Sequence, residues 1–158
     1  MSYIEDNLME NEKIKHTTRL HLIVFLSPIK YFVIGVLCLS IESDPDGGSG
    51  YLPAIGIILI LWSFGSLIST FINYKTSEFG ITDKRVMAKT GLIKRHSLEI
   101  LLSKMESIVV DQSVLGRILG YGNLIYIGTG GTRDKFIRIS SPTLFKKIAQ
   151  EQIANSQM

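Results

Sequence analysis

The segment from Tyr51 to Tyr74 reads YLPAIGIILILWSFGSLISTFINY and contains no charged residue. These twenty-four residues extend about 36 Å as an α-helix, which is longer than the roughly 30 Å hydrocarbon core of a bilayer. Tyrosines at both ends are typical of membrane interfaces. A buried helix of a soluble protein is the alternative, but a chain of 158 residues offers little structure to surround such a helix. We therefore predict that this segment spans a membrane.

A second apolar run extends from about Leu22 to Ile41 and contains Pro28 and Lys30. It begins too late and is too long for a signal peptide. The part after Lys30 would extend only about 16 Å, so Lys30 must lie within the membrane thickness. Two interpretations stay open. Lys30 snorkels toward the cytoplasmic headgroups, helped by a bend at Pro28, or it contacts a partner helix or a lipid phosphate.

The residues between the two runs, ESDPDGGSG at 42–50, are acidic and rich in turn formers, which indicates a short hairpin loop. The loop contains no basic residue, whereas both outer flanks do: Lys13, Lys15 and Arg19 precede the first run, and Lys75, Lys84 and Arg85 follow the second. The excess of positive charge on the cytoplasmic side of membrane proteins then predicts that both termini are cytoplasmic. The predicted organisation is a leader at 1–21, a transmembrane hairpin at 22–74 (helices at about 22–41 and 51–74) and a cytoplasmic domain at 75–158.

After Tyr74 the apolar pattern changes from helical to alternating, which is typical of strands. We predict strands at about 76–81, 85–89, 95–101, 107–112, 122–129 and 135–140. A short helix is expected at 114–119, ending at Gly120. A C-terminal helix is expected after Ser141-Pro142, because serine favours the N-cap and proline the first helical position. This helix would cover one side of a bent antiparallel sheet.

The segment from Ile81 to Gly131 contains the patterns T-x-x-R-V, G-x-I-x-R, S-K-M-E-S-I and Q-S-V-L-G-R-I-L-G-Y-G. In these motifs, and in the leader with Leu8, Glu12 and Arg19-Leu20-His21, the chain resembles membrane-flanked bacterial pleckstrin-homology-like (bPH) domain proteins with two N-terminal transmembrane helices. The resemblance implies a PH-like bent antiparallel β-sheet or barrel with a C-terminal helix. It also implies self-association and a location in the bacterial inner membrane. It implies no common activity.

Catalytic constellations are not evident in the sequence. The three histidines, at positions 16, 21 and 96, have no metal-ligand spacing, and the single cysteine, Cys38, lies in the first apolar run. The aromatic residues of the domain are not interleaved with basic ones, which disfavours nucleic-acid binding. We therefore predict no enzyme activity, no cofactor, no metal site and no nucleic-acid partner.

The basic residues after the hairpin are the most informative candidates for contact. From Lys75 onward there are thirteen basic and seven acidic residues. In a simple meander the strand ends alternate between a membrane-near and a cytosolic end. The cytosolic end would carry a partner-facing basic cluster formed by Lys84, Arg85, Lys104, Arg133 and Lys135. The near end would carry candidate membrane and lipid contacts, namely Lys75, Leu92, Ile93, Lys94, Arg95 and Arg117.

At the turn Gly91-Leu92-Ile93-Lys94-Arg95, two apolar residues at the tip are followed by two basic ones. Leu92 and Ile93 would touch the headgroup boundary while Lys94 and Arg95 meet anionic lipid. Alternatively, the apolar pair folds back onto the sheet or packs on a neighbouring subunit.

The sequence predicts an integral membrane protein that presents a non-catalytic PH-like scaffold for self-assembly or for docking a protein partner. The first alternative is an anionic-lipid sensor that uses Leu92–Arg95. The second is an oligomeric transport or channel component centred on Lys30, which would need several chains because two spans form a poor conduit.

Overall fold

A computed structural model describes residues 3–41, 50–91 and 95–156. The chain divides into two compact units. One contains residues 1–21 and 74–158, and the other contains residues 22–73.

The helical unit contains two apolar helices, each interrupted by few polar side chains. A 3-10 turn, Leu22–Phe25, leads into α2 (Leu26–Ser40), and α3 runs Leu52–Thr76, extending past the unit boundary. The segments Leu22–Ser40 and Leu52–Thr76 are long and apolar enough to cross a membrane. The two helices lie close together at two glycines: a Cβ added to Gly35 would lie 2.9 Å from the carbonyl oxygen of Gly56. The Ser63 hydroxyl also donates a hydrogen bond of 2.9 Å to the Pro28 carbonyl.

The β unit begins in the leader. A single helical turn, α1 (Tyr3–Asp6), precedes strand β1 (Ile14–Thr18). After α3 come β2 (Glu78–Thr82), β3 (Arg85–Thr90) and β4 (His96–Leu101), and these form an antiparallel sheet in the order β1-β2-β3-β4. Residues 1–21, predicted from the sequence as a leader separate from the domain, are instead part of this unit. Strand β1 pairs with β2, and Ile4 is 1% exposed against Gly80.

A second antiparallel sheet follows a 3-10 turn, Leu102–Lys104. It contains β5 (Met105–Asp111), β6 (Tyr121–Gly128) and β7 (Arg133–Ser140), with α4 (Val114–Leu119) between β5 and β6. The described strands thus form two sheets joined by a bridge between Leu20 and Ile139, and not the closed barrel that was one predicted form. The expected mixture of helices and antiparallel strands is confirmed.

The core of the β unit lies between the two sheets and under α5 (Pro142–Ser156). Phe79 and Phe136 pack edge to face across the sheets, with ring centroids 5.4 Å apart. From α5, Phe145 and Ala149 are fully buried, and Phe145 packs against Tyr126. The neighbouring Leu144 of the same helix faces solvent at 48% exposure.

Candidate contact surfaces

Arg85 lies at the start of β3, directly after the turn that follows β2, and its side chain points into the β unit. Arg85 donates two hydrogen bonds to the Glu12 carboxylate, one from Nε to Oε1 at 3.0 Å and one from Nη2 to Oε2 at 2.9 Å. Nη1 donates to Glu99 of β4. The two remaining donors to Glu12 are the Thr82 hydroxyl at 2.6 Å and the Met9 amide at 2.7 Å. The arrangement is a bidentate, buried ion pair that joins the leader to the β2–β3 turn.

Two opposing effects determine the pKa of Glu12. Burial disfavours the charged carboxylate and acts to raise the pKa. The hydrogen bonds from Arg85, Met9 and Thr82, together with the charge of Arg85, outweigh burial and bring the pKa of Glu12 below its usual value. For Arg85, the hydrogen bond to Glu12 raises the pKa, so both partners are charged at neutral pH. The Arg85–Glu12 ion pair, called the clasp below, therefore holds the leader against the β2–β3 turn.

The predicted partner-facing basic cluster changes as a result. Arg85 is 6% exposed and its guanidinium is occupied by two carboxylates, so it does not face a partner. The reason is that Glu12, which the sequence analysis placed outside the domain, lies opposite it. Lys135 is exposed but pairs with Asp111 at 3.3 Å, an interaction that also lowers the pKa of Asp111 after the larger effect of Asn123.

Three residues of the predicted cluster are exposed at one end of the strands: Lys84 in the β2–β3 turn, Lys104 in the 3-10 turn and Arg133 at the start of β7. The Leu102 amide donates to the Lys84 carbonyl and the Thr129 amide donates to the Lys104 carbonyl, both at 3.0 Å. These bonds bring the β2–β3 turn, the β4–β5 connection and the β6–β7 turn together. Beside them is an open cleft of about 300 Å³, whose lining includes Glu99, Leu101, Lys104, Gly128, Thr129 and Thr132.

The predicted membrane-contact residues are only partly described. Leu92, Ile93 and Lys94 lie outside the described residues. Arg95 is exposed just before β4, and Lys75 is in the last turn of α3. Arg117 is exposed on α4.

Helix α4 carries an exposed apolar surface that is absent from the predicted contact residues. Val114, Leu115, Ile118 and Leu119 are 75%, 64%, 74% and 49% exposed. The spacing i, i+1, i+4, i+5 was the available signal, because it predicts one apolar face. In an ordinary surface helix that face would pack on the core. Here the opposite side packs instead: a Cβ added to Gly116 would lie 2.6 Å from the Tyr121 carbonyl oxygen.

In the helical unit, Lys30 is exposed near the start of α2 and its Nζ lies 5.0 Å from the Tyr31 ring centroid. A groove of about 660 Å³ runs along α3, and its lining includes Trp62, Gly65, Ser66 and Ser69. Within the described residues, and apart from its chain neighbours and the backbone of its own helical turns, nothing lies within 4 Å of a Cβ added to Gly65, in contrast to Gly35 and Gly56. The face of α3 around Gly65 is therefore open in the isolated chain.

Within the described ranges, no group of three or more His, Cys, Asp or Glu side chains is placed to hold a metal ion. His16 packs edge to face on Phe145, and burial lowers its pKa. The described geometry offers binding surfaces and a buried ion pair.

Comparison with protein families decides the fold assignment. The family described as bacterial PH domain matches residues 24–153, which is most of the chain. The chain belongs to the bacterial PH domain family. The resemblance seen in the motifs is thereby confirmed. Comparisons with curated proteins and with solved structures give no match. Membership indicates a non-catalytic module, since PH domains generally mediate lipid or protein interactions.

Proposed function

We propose that this bacterial PH domain protein is anchored in the inner membrane by α2 and α3, with both termini in the cytoplasm. Its β unit is then a non-catalytic scaffold for self-assembly or for docking a protein partner. The proposal assigns no cofactor and no nucleic-acid partner to the chain.

The exposed apolar surface of the helical unit carries this proposal. In the most apolar stretches of Leu22–Ser40 and Leu52–Thr76, only 17% and 11% of the residues are buried. The core helix of a soluble protein would be mostly buried, whereas a span is apolar on the surface that meets lipid. Side chains such as Leu61, Trp62 and Ile68 are more than 60% exposed, and in water this apolar surface would be exposed at a cost in free energy.

Two surfaces support a scaffold role. The open α3 face around Gly65 and Ser69 has small residues four apart, a spacing that allows close helix approach in membranes. We assign this face to a second copy of the chain. Lys84, Lys104 and Arg133, beside the open cleft, give the β unit a basic end suited to an acidic segment of a protein partner.

Anionic-lipid sensing at Leu92–Arg95 is the alternative function. Its described support is the exposure of Arg95, and the charge pattern of the turn is the sequence argument for it. The two functions differ in what they require of the chain, since scaffolding needs a second macromolecule and sensing needs only lipid.

Mass measurement of the full chain in lipid nanodiscs tests the scaffold proposal. We expect a discrete oligomer, and Gly65→Leu should shift it toward monomer because the larger side chain fills the open groove. Leu37→Phe is the control, since Leu37 is 60% exposed on α2, away from the groove. A monomer at all lipid ratios would contradict self-assembly. If that monomer also retains anionic lipid, the sensing alternative is favoured.

A further inference from the structure

We propose that the apolar face of α4 is a membrane-contact site that inserts into the interface of an anionic bilayer. The inference rests on the proposed anchoring of the chain by α2 and α3. It assigns the lipid contact to Val114, Leu115, Ile118 and Leu119, with arginines around them, and not to the Leu92–Arg95 turn.

The first argument is that α4 packs on the β unit through its glycine side and leaves its apolar side exposed. At about 100° per residue, the four apolar side chains occupy an arc of about 140°, with Gly116 and Arg117 on the remaining side. Gly116 packs against the Tyr121 carbonyl, and Gln112 Nε2 donates to the Gly116 carbonyl at 3.2 Å. The glycine side of the helix is therefore attached to the β unit, and the apolar arc faces outward. Interfacial helices bury such an arc among lipid headgroups and acyl chains.

The second argument is the location of α4 within the β unit. The chain leaves this unit after His21, whose ring packs 5.4 Å from the ring of Tyr121, two residues beyond the end of α4. It returns through α3, and Phe79 of β2 pairs with Thr18 of β1. The Thr18 hydroxyl in turn donates to the Ser140 carbonyl at 2.8 Å, and Ser140 pairs with Tyr121. Both junctions with the membrane helices are thus at the corner that carries α4.

The third argument is charge. Arg117 lies on α4, and the backbones of Arg19 and Arg138 hydrogen bond to Ser140 and His21 at the same corner. All three arginine side chains are exposed, and within the described ranges none forms an ion pair. The nearest carboxylate before α4, Asp111, is already paired with Lys135. Basic side chains beside an apolar face are the arrangement that anionic membrane surfaces attract.

A second copy of the chain fits this face less well than lipid. Four side chains on a six-residue helix present far less than the roughly 800 Å² per partner that a stable protein interface buries. A bilayer needs no such area, because the two membrane helices already hold the domain beside it and remove most of the entropic cost of contact.

The test uses the full chain in nanodiscs with one environment-sensitive fluorophore at a time. In a Cys38→Ser background, the label is placed by Leu115→Cys on α4, by Leu37→Cys on α2, or by Leu101→Cys. Leu101 is the matched control, since it is a 41% exposed leucine at the opposite end of the strands. Quenching by spin-labelled lipid is measured in phosphatidylglycerol and in phosphatidylcholine.

We expect strong quenching at positions 37 and 115, little at 101, and stronger quenching at 115 in phosphatidylglycerol. Arg117→Gln should lower the inserted fraction in phosphatidylglycerol by about fivefold, because each basic group near an anionic surface contributes about a fivefold factor. Quenching at 37 but not at 115 would overturn this inference and leave the anchoring intact. Absence of quenching at 37 would overturn both. A blue-shifted but unquenched label at 115 would show that protein covers α4, and equal quenching in both lipids would overturn the anionic preference.

Discussion

The guanidinium of Arg85 and the carboxylate of Glu12 meet in a buried ion pair with Nη2 and Oε2 2.9 Å apart. The two residues are separated by 73 positions, and both apolar helices lie between them in the sequence. The pair fastens the leader onto the β2–β3 turn, and Glu99 of β4 binds the other side of the same guanidinium. Leader and strands therefore fold as one unit, although the two apolar helices interrupt it in the sequence.

Replacing Glu12 by glutamine should destabilise the β unit by about 3 kcal/mol, because the buried guanidinium loses its bidentate partner. For a domain of this size the unfolding midpoint should fall by roughly 10 °C. The measurement is thermal unfolding of the full chain in detergent, followed by circular dichroism. Glu106→Gln is the control, since Glu106 is exposed on β5 and should change stability by less than about 0.5 kcal/mol. Equal midpoints for the two variants would contradict the clasp.

The clasp also predicts a pH dependence with a defined sign. The pKa of Glu12 is below its ordinary 4.5 in the folded state, so the unfolded chain takes up a proton first as the pH falls. Unfolding is then favoured by acid, and the contribution of Glu12 is complete above about pH 4.5 and is lost below it. The stability difference between the native chain and Glu12→Gln should therefore shrink below that pH. A difference that stays constant down to pH 3 would show that Glu12 is not held ionised. His16 is present in both proteins, so its titration cancels.

Close packing of α2 on α3 predicts that Gly56 tolerates no side chain. A Cβ there would lie 2.8 Å from the Gly35 carbonyl oxygen, so Gly56→Val must separate the helices. Overpacking of this kind costs about 1–3 kcal/mol. We expect the temperature at which the detergent-solubilised chain loses its monodisperse chromatographic peak to fall by roughly 5 °C. Ala54→Val is the control, since Ala54 is exposed on the same helix, and it should leave that temperature unchanged. A larger loss for Ala54→Val than for Gly56→Val would contradict the assigned contacts.

The C-terminal helix offers a matched pair of neighbouring residues. Phe145 is fully buried against Tyr126 and His16, whereas Leu144 is 48% exposed. Phe145→Ala should destabilise the β unit by about 3–5 kcal/mol through loss of burial and the cavity left behind. Leu144→Ala should cost less than about 1 kcal/mol. Thermal unfolding distinguishes them, and similar losses for both would mean that α5 does not cover the core as described.

Local patterns in the sequence predict much of the fold. The uncharged run from 51 to 74 corresponds to α3, and Ser141-Pro142 marks the start of α5. The alternation after Tyr74 predicts the six strands β2 to β7, with bounds correct to within a few residues. Family motifs predict the PH-like assignment, which the family match confirms. These features depend on neighbouring residues, so a single sequence carries them.

The features that local sequence patterns do not predict depend on contacts between residues far apart in the chain. Strand β1 has five residues and weak alternation, and only its pairing with β2 makes it a strand. Arg85 appears as one basic residue among others until Glu12 lies opposite it. The outward face of α4 has the same spacing as a core-facing helix, and only the packing of Gly116 on Tyr121 shows which side is attached.

Cysteine accessibility in intact bacterial cells tests the central claim, which is a two-span anchor with both termini inside. In a Cys38→Ser background, Gly50→Cys lies just before α3, and Glu151→Cys lies exposed on α5. We predict that a membrane-impermeant maleimide labels position 50 in intact cells and position 151 only after permeabilisation. Labelling of both positions in intact cells, or of neither until the cells are opened, would contradict the account.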